Sequence, residues 1–353
     1  MIDRRSFSKA FGLGVGAAAV SLTGLQGAAT AAPAVGRSGP APVVPPLVPG
    51  THTSFPALKQ VEAGLLDVGY AELGPADAPV VLCLHGWPYD IHSYVDVAPL
   101  LADLGYRVIV PYLRGHGTTR FRSPRTFRNA QQSAVALDVI ALLDALRIDR
   151  AVLAGFDWGS RTADIVAALW PERVKALVSV GGYLITNRAQ QLEPIAPAGE
   201  HTWWYQYYFA TERGRKAMER PALRHDLTRL VWQLVSPTWK FDDATFERTE
   251  AAFDNPDYAA IVIHNYRWRL GIADGEHRYD RYEDRLADKP AIGVPTITLD
   301  PALDPFTAPG DGSGYRSMFT GRYEHRTLAD IGHNLPQEAP TAFAQAVVDA
   351  DRL

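Results

Sequence analysis

Five short, almost wholly apolar runs, separated by stretches of helical periodicity, limit what this 353-residue chain can fold into more than any other feature. They are PVVLCLHG (79–86), YRVIVPYL (106–113), AVLAGF (151–156), VKALVSVGG (174–182) and GVPTITLD (293–300). A strand that is apolar on both faces has to be covered on both. Between the runs, Val135, Val139, Leu142, Leu143 and Leu146 recur at helical spacing, and RTADIVAALW stops before Pro171. Strands alternating with helices predict an α/β fold, a mostly parallel central sheet flanked by helices.

The alternation breaks once. Roughly 100 residues separate Gly182 from Gly293, too many for a loop, and they carry aromatic-rich helical stretches such as HTWWYQYYF (201–209) and HNYRWRL (264–270). The expected organisation is a core of residues 57–186 and 288–353, with a helical cap, 187–287, over the carboxyl ends of the strands. Open α/β sheets hold their ligands there.

The start of the chain reads differently. Residues 1–31 place Arg4 and Arg5 ahead of a weakly apolar Gly/Ala run and an Ala29-Thr30-Ala31 cleavage site, the pattern of a twin-arginine export signal. That run is too short and glycine-broken to anchor stably in a bilayer, so the expected location is exported, secreted or periplasmic. Residues 32–56 form a proline-rich lead-in expected to stay exposed and to build no core. The formal net charge is −4, and loss of the cationic signal makes it more negative, which argues against nucleic acid as a partner. The single cysteine, Cys83, lies within an apolar run and is expected to pack as a small buried hydrophobe, with no disulfide possible within the chain. The ten histidines are scattered and no phosphate-binding glycine loop appears, so neither a metal nor a cofactor is expected.

The chemistry concentrates at Gly155-x-Asp157-x-Gly159, the pattern of a sharp strand-to-helix elbow that often presents a nucleophile. Asp157 could instead be an ordinary helix N-cap. Three further features accompany it: HGWP (85–88) ahead of it, the helical insertion after it and the late DIGHNLP (330–336). Together they resemble the α/β-hydrolase superfamily over residues 60–350, and within it the aspartate-nucleophile branch of epoxide hydrolases and haloalkane dehalogenases. A carboxylate, already ionised at neutral pH, attacks an electrophilic sp3 carbon and leaves an alkyl ester. A serine-type esterase is excluded, because the hydroxyl is missing.

The resemblance implies a set of roles. Asp157 is the nucleophile, His333 the base that activates water, and Asp304 the acid that orients His333, with Asp300 as the rival. The family usually has a glycine where Pro301 stands. The backbone N–H groups of Trp87 and Trp158 form the oxyanion hole, and Pro88 stiffens that turn. Tyr205 and Tyr266 are the two cap tyrosines that protonate an opening epoxide, although Tyr207 and Tyr208 compete with Tyr205. His85 and Arg114 read as structural. The implied partners are water and a small, apolar epoxide, and the oligomeric state is left open. The rival enzyme reading is a haloalkane or haloacid dehalogenase. There the Trp158 indole and one of Trp203, Trp204, Trp232, Trp239 or Trp268 would hold the halide. Against it, haloalkane dehalogenases often carry asparagine at the position of Trp87. Arg161, four residues after Asp157, is similar to the carboxylate-binding arginine of fluoroacetate dehalogenases, but their other arginine, next to the nucleophile, is replaced by Trp158, so Arg161 reads as a structural ion pair on its helix. Phe156 replaces the histidine common to both groups. A non-catalytic binding protein of the same fold is the third reading.

Overall fold

The computed structural model describes residues 42–306 and 310–353, so the signal-like segment 1–31 lies outside the described residues. Nine strands form one sheet: β1 (Lys59–Ala63), β2 (Leu66–Leu73), β3 (Val80–Leu84), β4 (Arg107–Pro111), β5 (Arg120–Phe121), β6 (Ala151–Gly155), β7 (Val174–Val180), β8 (Thr296–Pro301) and β9 (Tyr323–Leu328). Their spatial order is β1-β2-β4-β3-β6-β7-β8-β9, with β5 beside β2. Pairing is antiparallel among β1, β2, β4 and β5 and parallel from β4 through β9. All five apolar runs supply parallel strands, and β6 is buried along its whole length, as double coverage requires. Helix Trp158–Leu169 packs on β3, β6 and β7 and against helix Gln132–Ala145, while Val97–Asp103 and Pro340–Ala350 pack together. Cys83 is fully buried in β3.

Four strands, β1, β2, β5 and β9, fall outside the five apolar runs. β1 is mostly exposed and β9 is only half-buried, so neither carries an apolar run. The described part of the lead-in, 42–56, is mostly exposed, as expected, but it is tied to the core at points: Val44 is buried, its N–H donates to Gln345 Oε1 (2.8 Å), and the Leu47 N–H donates to Thr341 Oγ1 (2.9 Å). Gly50 and His52 donate their N–H groups to the Asp96 carboxylate (2.6 and 2.7 Å). An extended proline-rich backbone cannot pair with itself, which leaves its N–H groups free for acceptors on a neighbouring surface.

Between β7 and β8 the chain runs through seven helices, from Pro197–Thr202 to Asp280–Ala287. The insertion is pinned to the core at several points. Trp232 Nε1 donates to Pro88 O (2.8 Å), Thr249 Oγ1 to Asp90 Oδ1 (3.0 Å), and Asn255 Nδ2 to Thr119 O (2.6 Å). Helix Asp280–Ala287 is tied to the core helix Gln132–Ala145, because Glu283 accepts from the Ser133 backbone N–H (3.1 Å) and from its hydroxyl.

Candidate active site

The elbow at Asp157 exists because two glycines let three backbones meet. A Cβ on Gly159 would lie 1.9 Å from Leu84 O, and one on Gly155 would lie 2.5 Å from the Gly159 carbonyl carbon. The strand end and helix start can therefore approach only with hydrogen at both positions. Asp157 itself is held at φ 53°, ψ −122°, a conformation that costs a non-glycine residue energy and presents its side chain above the sheet. It occupies the N-cap position of helix Trp158–Leu169, yet its side chain makes no capping hydrogen bond. The N-cap reading of Asp157 is thus set aside.

The carboxylate is engaged elsewhere. Oδ1 accepts the Trp87 backbone N–H at 2.7 Å, and Oδ2 lies 3.6 Å from His333 Nε2. On the far side of the ring, His333 Nδ1 lies 2.8 Å from Asp304 Oδ2. Asp304 Oδ1 accepts the Phe306 N–H (2.9 Å). Asp300, the rival acid, accepts instead from Tyr315 OH (2.8 Å) and sits beside His325. The reason is position: Asp300 lies within β8, whereas Asp304 lies just beyond it. Trp158 N–H does not bond the carboxylate in this arrangement, so of the two expected oxyanion donors only Trp87 touches it.

Burial disfavours charge on both partners, but mutual attraction overrides it. Asp157 is held below the usual carboxylate range by His333, by the Trp87 N–H and by Arg161. His333, despite its burial, is pushed up to about 10 by Asp304 and Asp157. Both shifts favour the charged pair, an Asp157 carboxylate beside a His333 imidazolium.

The structure brings both candidate tyrosines to this point. The Tyr205 and Tyr266 rings meet at 5.3 Å and 84°, and each packs on Trp87, at 5.1 and 5.3 Å. Burial foremost, with the Asp157 charge, raises both phenols well above their ordinary value, Tyr266 adding to the shift of Tyr205 while Tyr205 works against that of Tyr266, so both stay protonated. Tyr207 is exposed and bonded to Glu200, and Tyr208 packs on Trp204, which removes both as rivals. His85 is satisfied as a structural residue, with Nδ1 on Gly86 O (3.0 Å) and Nε2 accepting from Leu113 N (3.1 Å). Arg114 forks onto Asp138 (2.6 and 2.7 Å). Phe156 is fully buried, its ring 5.9 Å from that of His333.

Two expectations need correction. Arg161 is not a structural ion pair: it donates to Asn265 Oδ1 (3.2 Å) and pairs with no carboxylate among the described residues. Burial and the neighbouring Arg269 lower its pKa to about 10. Its side chain and Asp157 line one cavity of about 240 Å³, together with Arg269 and Lys289. The cavity beside Asp157 is thus lined by three cations, where a small, apolar partner was expected. Sequence reasoning also missed Ser236 and Glu338. Ser236 Oγ accepts the His333 N–H (3.0 Å) and donates to Glu338 Oε1 (2.7 Å), while Glu338 Oε2 accepts the Gly332 N–H (2.9 Å). Nothing in the sequence marks a serine some 100 positions from the histidine as its support.

The α/β hydrolase fold family matches residues 79–258, about half of the chain, and the chain belongs to that family. It is similar over 84% of its length to a crystal structure of a candidate epoxide hydrolase from Klebsiella pneumoniae, with 58% identity, 97% of that chain covered and a TM-score of 0.82. Epoxide hydrolase 2 of Siraitia grosvenorii is 37% identical over 107 residues, 30% of this chain and 33% of that protein. The haloalkane dehalogenase of Mycobacterium marinum is 34% identical over 140 residues, 39% of this chain and 44% of that protein. The chain thus spans well under half the length of these two relatives. It is a hydrolase of the α/β type, epoxide-hydrolase-like in sequence and fold.

Proposed function

We propose that the protein hydrolyses an epoxide to a vicinal diol through an ester on Asp157. Oδ2, the oxygen free of the Trp87 N–H, attacks an epoxide carbon; the C–O bond of the ring breaks, and the alkoxide takes its proton from the Tyr205/Tyr266 pair. Esterification removes the Asp157 charge that helps keep His333 protonated. The pKa of His333 falls, its proton is released and serves to restore the tyrosine, and the neutral imidazole then takes a proton from water. The hydroxide adds to the ester carbonyl, and Oδ1, already held by the Trp87 N–H, carries the oxyanion, with the Trp158 N–H as the second donor. Collapse frees the diol, restores the carboxylate and leaves the proton balance unchanged.

The observation that carries this reading is the convergence of two protonated, buried phenols on an elbow carboxylate. An alkoxide needs a proton, whereas a departing halide does not. The test is diol formation by Tyr205→Phe, Tyr266→Phe and the double variant. The double variant should lose about 10²–10⁴-fold in kcat on epoxides; a double variant with undiminished epoxide turnover would contradict the assignment. One observation favours the dehalogenase alternative: the Trp158 indole N–H is buried without an acceptor. Trp232 cannot be its second donor, since its N–H is committed to Pro88 O. A non-catalytic binding role gains no support from the assembled Asp157, His333 and Asp304. We further propose that the chain is exported by the twin-arginine route, on the strength of Arg4, Arg5 and the segment after them.

A further inference from the structure

The Asp157 cavity sets three cations, Arg161, Arg269 and Lys289, against the one carboxylate of Asp157 in its lining. Arg269 sits close enough to Arg161 to disfavour charge on it, and neither pairs with a carboxylate among the described residues. Arg269 gives one N–H to Gln191 Oε1 (2.9 Å), rests against the Trp203 ring at 5.3 Å, and keeps a buried Nε–H without an acceptor. Arg161 is satisfied only by a neutral amide. Glu283, whose charge also reaches Arg161, is committed to Ser133 and Gln132. Lys289 adds an exposed third cation to the same cavity. Like charges gathered in a largely buried cavity are costly unless an anion completes them, and guanidinium forks match a carboxylate in shape as well as charge.

The Asp157 charge reaches Arg161, but its oxygens are engaged by Trp87 and His333, so it leaves the guanidinium forks without a carboxylate bonded to them. We propose that the substrate supplies it: an epoxide bearing a carboxylate a few bonds from the ring, held by Arg161 and Arg269 with Lys289 at the cavity mouth. Asp157 lines this cavity and its charge also reaches Tyr205 and Tyr266, so a substrate held by the cations would present its epoxide at Asp157. This rests on the epoxide hydrolase reading for the reaction, though not for the anion site itself.

The test separates the two. Calorimetric titration of the purified full chain with cinnamate and with cinnamamide, neither of which carries an epoxide, reports the anion site alone. Cinnamate should bind at least about 10-fold more tightly, the size expected for hydrogen bonds to a charged group. Arg161→Gln and Arg269→Gln should each remove most of that preference, whereas Arg269→Lys, which keeps the charge, should retain part of it and show that the fold is intact. In turnover, 3-phenylglycidate should exceed 3-phenylglycidamide in kcat/KM by a similar factor. Equal binding of the two probes to the unmodified protein, or a preference that survives both glutamine variants, would overturn the proposal. Cinnamate preference without turnover of either epoxide would leave the anion site standing and sink the epoxide hydrolase reading. Equal turnover of both epoxides without cinnamate preference would do the reverse.

Discussion

His333 lies between two carboxylates, and its protonation state follows from which of them is charged. Burial opposes the imidazolium, Asp304 and Asp157 favour it, and the balance puts its pKa at about 10. Removing one carboxylate charge should shift that balance by a measurable amount. We predict that the His333 ring, followed by NMR, titrates well above its ordinary value of about 6.5 and that Asp157→Asn lowers its pKa. A ring that titrates at its ordinary value in the unmodified protein would contradict the assignment of charges. The sign of the stability effect follows. A raised folded-state pKa adds stability that is fully present below about 6.5 and is lost as pH rises through about 10. Asp157→Asn should therefore flatten the alkaline limb of the pH–stability profile.

At the scale of elements, the histidine loop is held by a clamp that reaches across the molecule. Ser236, at the end of helix Pro221–Val235 in the insertion, joins the His333 N–H to Glu338, which also holds the Gly332 N–H. Glu338→Ala should leave the Ser236 hydroxyl and the Gly332 N–H without that acceptor and lower stability by about 1–3 kcal/mol in denaturant unfolding, with kcat falling as His333 loses its fixed position. Unchanged stability and kcat would show that the loop is held by other means. The contrast with the elbow explains what the sequence discloses. Gly155, Asp157 and Gly159 are local, so the steric rule that shapes them is written in consecutive residues, and the five apolar runs likewise carry their own burial. Asp304 and His333 were legible by their place after a strand and before a helix. Ser236, Glu338 and the cationic partners Arg269 and Lys289 are brought together by tertiary folding alone. Arg161 was misread for the same reason: its neighbours come from the insertion, not from its own helix. The rim strands β1 and β9 escaped because partial exposure removes the apolar signal.

Over the whole molecule, the core and the insertion are locked by Trp232, Thr249, Asn255 and Ser236, and the lead-in from Val44 is part of the fold rather than a free tether. Among the described residues, no helix is long and apolar enough to cross a membrane. Export through the twin-arginine route requires the paired arginines ahead of the apolar run. Replacing Arg4 and Arg5 together by lysine should hold the protein inside the cell, which fractionation with an activity or antibody readout would reveal. Equal export of the variant would exclude that route.

The central claim is that Asp157 forms an ester with an epoxide, and intact-protein mass spectrometry of His333→Gln tests it most directly. Without the base the ester should persist, so incubation with a mixture of small epoxides and bromoalkanes should add the mass of a whole epoxide, mapped by peptide analysis to Asp157. Addition of a bare alkyl group at that residue would instead make the protein a dehalogenase, and an unmodified Asp157 peptide would contradict covalent catalysis on either substrate class.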